Sequence, residues 1–135
     1  VIKGGKVRFS SSNHSKNTAY KNFKKYLTNV YCYAGTASLS KELRSKDISD
    51  ILPGDTFIWG SFPGHAVIVL DVAQDERGKK IFLLAQSYMP AQSIHVLQNF
   101  NDKSLSPWYS EDFGAELLTP EWTFDRNTLK TFDID

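Results

Sequence analysis

His65 opens an aliphatic run, Ala66 to Val72, and the polar triplet Gln86-Ser87-Tyr88 closes a second run, Ile81 to Ala85. A histidine at a strand end can act as a general base, because an imidazole takes a proton from a thiol or hydroxyl near neutral pH. The same ring can do no more than satisfy a backbone group. Pro63 and Gly64 precede it, which points to a loop mouth at the surface. A glutamine carbonyl on the neighbouring strand could orient the imidazole, as an amide does in some acyl-transfer sites, or could only close a backbone hydrogen bond. Cys32 is the one thiol in the chain. It stands shortly before Gly35 and a helix expected from Thr36, and a helix start exposes a nucleophilic cysteine. Flanked by Tyr31 and Tyr33, it reads equally as a buried, inert thiol.

Geometry ties these residues together. Between the two runs, Asp75-Glu76-Arg77-Gly78 has the charge and the terminal glycine of a hairpin turn. A turn centred between Glu76 and Arg77 sets His65 opposite Tyr88 and diagonal to Gln86, with all three side chains on one face. A single bulge would send a side chain to the other face. Apolar residues at successive positions predict strands buried on both faces.

The other chemistry-bearing residues carry less. Trp59, Trp108, Tyr109 and Trp122 could line a sugar- or peptide-binding groove beside Tyr88, or could pack the core. His95 alternates with Ile94 and Val96 and reads as a surface histidine, and His14 lies in a polar tail. Ser38-Leu39-Ser40-Lys41 matches the S-x-x-K pattern of serine acyl-enzymes, but neither S-D-N nor K-T-G occurs. Three separated histidines and one cysteine form neither H-E-x-x-H nor C-x-x-C, so neither metal nor cofactor is expected.

The elements that must position the site follow from periodicity. Residues 1–16 are polar and read as a tail or an edge strand. Residues 17–46 are helical: Tyr20, Phe23, Leu27 and Val30 recur at helical spacing, Gly35 interrupts, and Thr36 caps a second helix that ends near Arg44 to Lys46. Residues 53–97 form the hairpin core, with Ile94 to Leu97 as a short strand. Residues 98–135 form an aromatic-rich C-terminal segment.

Composition sets the limits. The chain has 135 residues, of which 41% are apolar. It reads as a single domain that buries roughly two-thirds of its unfolded surface. Lys+Arg of 16 against Asp+Glu of 15 gives +1, and the lysines are not interleaved with aromatics, which argues against nucleic acid. One cysteine excludes an intrachain disulfide. No span approaches the length of a transmembrane helix, and the start shows no signal-peptide pattern. A first residue Val1 suggests a processed product or a piece cut from a longer protein, whose export signal would then be missing.

Longer motifs then carry a resemblance. YAGTASL (33–39), PGD-x-FI (53–58), PGHAVIVLDVA (63–73), FLLAQSYMPAQ (82–92), SPWY (106–109) and TPEWTF (119–124) together resemble a bacterial domain-of-unknown-function family found in envelope lipoproteins. More distantly, Pro53-Gly54-Asp55, Gly64-His65 and Gln86 are similar in order to the PGD strand, the Gly-His strand and the histidine-orienting residue of the NlpC/P60 and CHAP amidases of the papain-like superfamily. No Asp-Cys-Ser-Gly motif surrounds Cys32, and the resemblance implies another cysteine in an N-terminal half. What it implies is an α+β, NlpC-like fold with N-terminal helices on a small antiparallel, barrel-like sheet. It also implies a bacterial envelope location, periplasmic or lipid-anchored.

The expected function is hydrolysis of an amide in cell-wall peptide by a thiolate, with His65 as base and Gln86 as orienter. The alternative is a non-catalytic envelope module that binds glycan or peptide through an aromatic groove.

Overall fold

The computed structural model describes residues 2–3, 6–7, 19–90 and 92–132. The chain forms two compact units, Val1–Gly35 and Thr36–Asp135.

In the first unit, β1 (Ile2–Lys3) pairs antiparallel with β2 (Lys6–Val7), and α1 spans Tyr20–Tyr33. The helical spacing of Tyr20, Phe23, Leu27 and Val30 does form a helix, yet no residue of α1 is buried. His14 lies outside the described residues.

The second unit opens with α2 (Thr36–Glu42). The helix stops before the basic stretch expected to end it, because Arg44 and Ser45 form strand β3, held by Thr131 and Lys130 of strand β11 (Leu129–Thr131). That long-range pairing overrides the local helical pattern. The connector to strand β4 (Thr56–Trp59) is fixed by one carboxylate. Asp55 Oδ2 lies 2.8 Å from Lys46 Nζ and accepts the Leu52 N–H at 2.8 Å. Gly54 supplies the left-handed φ of +93° that the turn requires. The Pro-Gly-Asp motif is therefore a clamp on the strand's approach.

Strands β5 (His65–Gln74) and β6 (Lys80–Tyr88) form the expected hairpin. Asp75 Oδ1 accepts the Arg77 and Lys79 N–H groups, and Gly78 takes φ +83°. Next to the turn the register is one residue off the expected centre, since Gln74 pairs with Lys80. A bulge at Leu70 then shifts it back, so that Val69 pairs with Leu84 and Ile68 with Ala85. Continued to the strand ends, this register sets His65 opposite Tyr88.

Strand β7 (Gln92–Val96) pairs with β6, strand β8 (Tyr109–Ser110) also joins β6, and the main sheet runs β3-β11-β4-β5-β6-β7. The sheet is open, with β3 and β7 at its ends, so the architecture is α+β as expected but the barrel-like closure is not formed. Strands β9 (Glu116–Leu118) and β10 (Thr123–Asp125) make a separate hairpin.

One face carries the core. Phe57, Val67, Val69, Phe82, Leu84 and Leu129 pack with Leu117 and Phe124 of the β9–β10 hairpin, and all are essentially inaccessible to solvent. The expectation of strands buried on both faces is corrected for β5, where Leu70 and Asp71 are exposed, whereas β6 keeps Leu84, Ala85 and Gln86 buried at successive positions.

Candidate functional site

The alternation that builds the core also builds the site. Along β5 the buried row Val69, Val67 continues to His65, and along β6 the row Phe82, Leu84 continues to Gln86 and Tyr88. Polar residues thus stand at the end of two apolar rows, where the core meets solvent.

His65 Nε2 lies 2.7 Å from Gln86 Oε1. Gln86, only 2% exposed, turns its amide nitrogen to Glu121 Oε2 and donates to it at 2.7 Å. The imidazole is also held by rings. Trp122 stacks on it with centroids 5.2 Å apart and planes 13° apart. Tyr88 meets it edge-on at 5.2 Å, an arrangement that aromatic quadrupoles favour. Trp122 Nε1 donates to the Tyr88 hydroxyl at 3.3 Å, which links the two rings that flank the histidine.

Glu121 and Trp122 arrive from the turn of the β9–β10 hairpin. Thr119 closes that turn by donating its N–H and its hydroxyl to the Trp122 carbonyl and accepting the Trp122 N–H. Most of the Thr-Pro-Glu-Trp motif is thus turn chemistry that delivers a carboxylate and an indole to His65 and Gln86.

An open groove of about 470 Å³ borders this cluster, lined by Pro63, Gly64, His65, Tyr88, Met89 and Trp122 among others. Its wall is mainly apolar, and among the described residues that line it the imidazole is the one ionisable group apart from the Tyr88 phenol. Behind Gly64 lies α2. A methyl group on Gly64 would overlap Thr36 Oγ1 and come within 2.5 Å of the Ser61 carbonyl, and one on Gly60 would overlap Ser40 Oγ. Both glycines therefore permit the close approach of α2 to the loop before His65.

The structure brings together His65, Gln86 and Tyr88, with Trp122. It separates others from them. Tyr109 is buried, stacks on Phe82 at 6.0 Å, donates its hydroxyl to the Gln98 carbonyl and does not line the His65 groove. Burial, with a smaller contribution from the Glu121 charge, pushes its phenol up to about 12. Trp108 is partly buried in the loop that Asn99 organises by donating to its carbonyl. Trp59 pairs with His65 across β4–β5 and is partly exposed.

Cys32 lies in the last turn of α1, in the Val1–Gly35 unit, and is exposed. The expected placement at a helix start is corrected, since the next helix begins at Thr36, and so is the reading of a buried thiol. His95 is an exposed residue of β7 bonded to the Ser93 carbonyl. Among the described residues no group of three or more His, Cys, Asp or Glu side chains is placed to hold a metal ion, and no helix is long and apolar enough to cross a membrane.

Glu121 is the residue that sequence reasoning missed. A glutamate in a turn has no periodicity, and only the pairing of β9 with β10 brings it behind Gln86.

Fold and site define an α+β protein in which a histidine–amide–carboxylate chain borders an apolar groove. The chain belongs to the family described as Domain of unknown function (4846), whose model matches residues 1–131. No curated protein and no solved structure matches it.

Proposed function

We propose that this protein is a bacterial cell-envelope hydrolase that cleaves an amide of cell-wall peptide, with His65 as general base and Gln86 as its orienting residue. The observation that carries this reading is the 2.7 Å contact between His65 Nε2 and Gln86 Oε1. With the amide oxygen, which can only accept, turned to the ring, Nε2 bears the hydrogen and the neutral ring keeps its lone pair on Nδ1. Nδ1 takes the proton from a thiol or hydroxyl as that group attacks the amide carbonyl. It returns the proton to the departing amine when the C–N bond breaks. Water then repeats the exchange, releasing the acid and restoring the nucleophile. Throughout, Gln86 Oε1 holds the ring and stabilises the imidazolium. The order Pro-Gly-Asp, Gly-His, Gln, similar to that of the NlpC/P60 and CHAP amidases, supports a papain-like reading of this fold and the envelope location.

A second reading has an observation of its own. Trp122 stacked on His65 beside an apolar groove also suits a module that binds glycan or peptide without cleaving it. Pull-down on insoluble peptidoglycan separates the two. In the hydrolase, His65→Ala retains wall binding and loses turnover, because the base acts on the transition state. In the module, wild type releases nothing and Trp122→Ala abolishes pull-down. Pretreatment with iodoacetamide shows whether the nucleophile is a thiol, which inactivates, or a hydroxyl, which survives.

A further inference from the structure

The His65–Gln86 pair alone does not determine which ring nitrogen is free. The two ends of a glutamine amide are alike in size, and imidazole can donate or accept at Nε2. With the amide reversed, its NH2 would face Nε2, the hydrogen would move to Nδ1, and the lone pair needed by the base would be turned inward. Something else must break the degeneracy.

From the geometry we infer that Glu121 is a positioning residue that fixes the His65 tautomer through Gln86. Glu121 Oε2 stands 2.7 Å from the Gln86 amide nitrogen. A carboxylate oxygen only accepts. Reversing the amide would set its oxygen against that carboxylate and would turn its NH2 toward Nε2. The reversed arrangement loses a charge-assisted hydrogen bond and gains a repulsion between two oxygens in a site that is only partly wet. Charge-assisted bonds of this kind bias such a choice by roughly tenfold or more. Gln86 cannot escape by rotating into solvent, since it is buried. Its amide nitrogen has Glu121 as partner and its oxygen has His65, so the chain is fully paired from carboxylate to ring. The Trp122 stack and the Tyr88 edge hold the ring plane without choosing between tautomers. Glu121 does not line the groove, and its hold on the ring passes through Gln86.

This assignment deepens the hydrolase reading and rests on it for its purpose, but its test does not need turnover. The ring nitrogens of His65 are observed by 15N NMR in labelled protein at about pH 9, above the ordinary imidazole range. Wild type shows a pyrrole-like Nε2 and a pyridine-like Nδ1. In Glu121→Ala the two nitrogens move toward averaged shifts, as the amide becomes free to reverse. Glu121→Lys replaces the acceptor by a pure donor, draws the Gln86 oxygen outward and inverts the pattern, with the hydrogen now on Nδ1. Glu121→Gln retains an acceptor oxygen and restores most of the wild-type pattern. The residue is exposed, so each variant folds, which the unchanged amide spectrum of the core strands verifies. Wild-type shifts in both Glu121→Ala and Glu121→Lys overturn the proposal. If the tautomer follows the substitutions while no wall preparation is cleaved by wild type, the hydrolase reading falls and the tautomer assignment stands.

Discussion

Replacing Asp55 by alanine should destabilise the Thr36–Asp135 unit by about 3–4 kcal/mol, in the lower part of the range expected when one member of a withdrawn ion pair is deleted. The value follows from what the carboxylate holds. Its side chain is 3% exposed and that of Lys46 16%, so the pair is largely withdrawn from water. Removing one partner of such a pair costs about 3–5 kcal/mol, because the other charge is left without compensation. Lys46 retains some access to solvent, which places the loss near the lower end. The Leu52 N–H also loses its acceptor, adding about 1 kcal/mol. In urea, a slope of roughly 2 kcal/mol/M, mid-range for a chain of this size, converts this to a midpoint lower by about 1.5–2 M with the slope unchanged. The double variant Lys46→Met/Asp55→Ala should recover part of the loss, since no charge is then stranded. A midpoint for Asp55→Ala within about 0.3 M of wild type, on the same slope, would refute the clamp. A double variant less stable than Asp55→Ala would show that the lysine contributes by packing and not by charge.

Phe57→Ala should cost about 3–5 kcal/mol in the same assay, because the ring is fully buried and touches Phe82, Phe113 and Phe124. Gly64→Ala should lower stability by roughly 1–3 kcal/mol, since the added methyl meets the Ser61 and Trp59 carbonyls, which cannot swing aside as a side chain can. Stability should also fall as pH rises through the window that Tyr109 defines. Burial raises its phenol from 10.0 to about 12, so over that window the unfolded chain releases a proton that the folded chain keeps. Tyr109→Phe should flatten that decline while losing about 1 kcal/mol at neutral pH with its bond to the Gln98 carbonyl.

The parts legible in sequence are those where a local signal agrees with a tertiary one. Gly78 and Asp75 announce the turn, and the aliphatic runs on either side announce the strands. The register at the site was legible for a less direct reason. The turn is centred on Arg77, one step of register off the pairing the charges suggest, and the bulge at Leu70 offsets it, so His65 and Gln86 share a face at the far end of the hairpin. Neither displacement leaves a mark in the residue types. Where local and long-range signals conflict, the sequence misleads. Arg44 and Ser45 continue a helical pattern but pair with β11, some 85 positions away in the Lys130–Ser45 contact. The C-terminal segment reads as a string of aromatics, because its strands of two or three residues are too short for alternation to show. That is why Glu121 was missed, and why Trp122 could be flagged as an aromatic but not placed on His65.

The central claim, that His65 is the base of a wall-peptide amidase, is tested most directly by mass spectrometry of the soluble fraction after the protein is incubated with purified peptidoglycan. The account predicts stem-peptide fragments with new carboxyl and amino ends for wild type, and none above the blank for His65→Ala. Equal release by both proteins, or no release by wild type from any wall preparation, would contradict it.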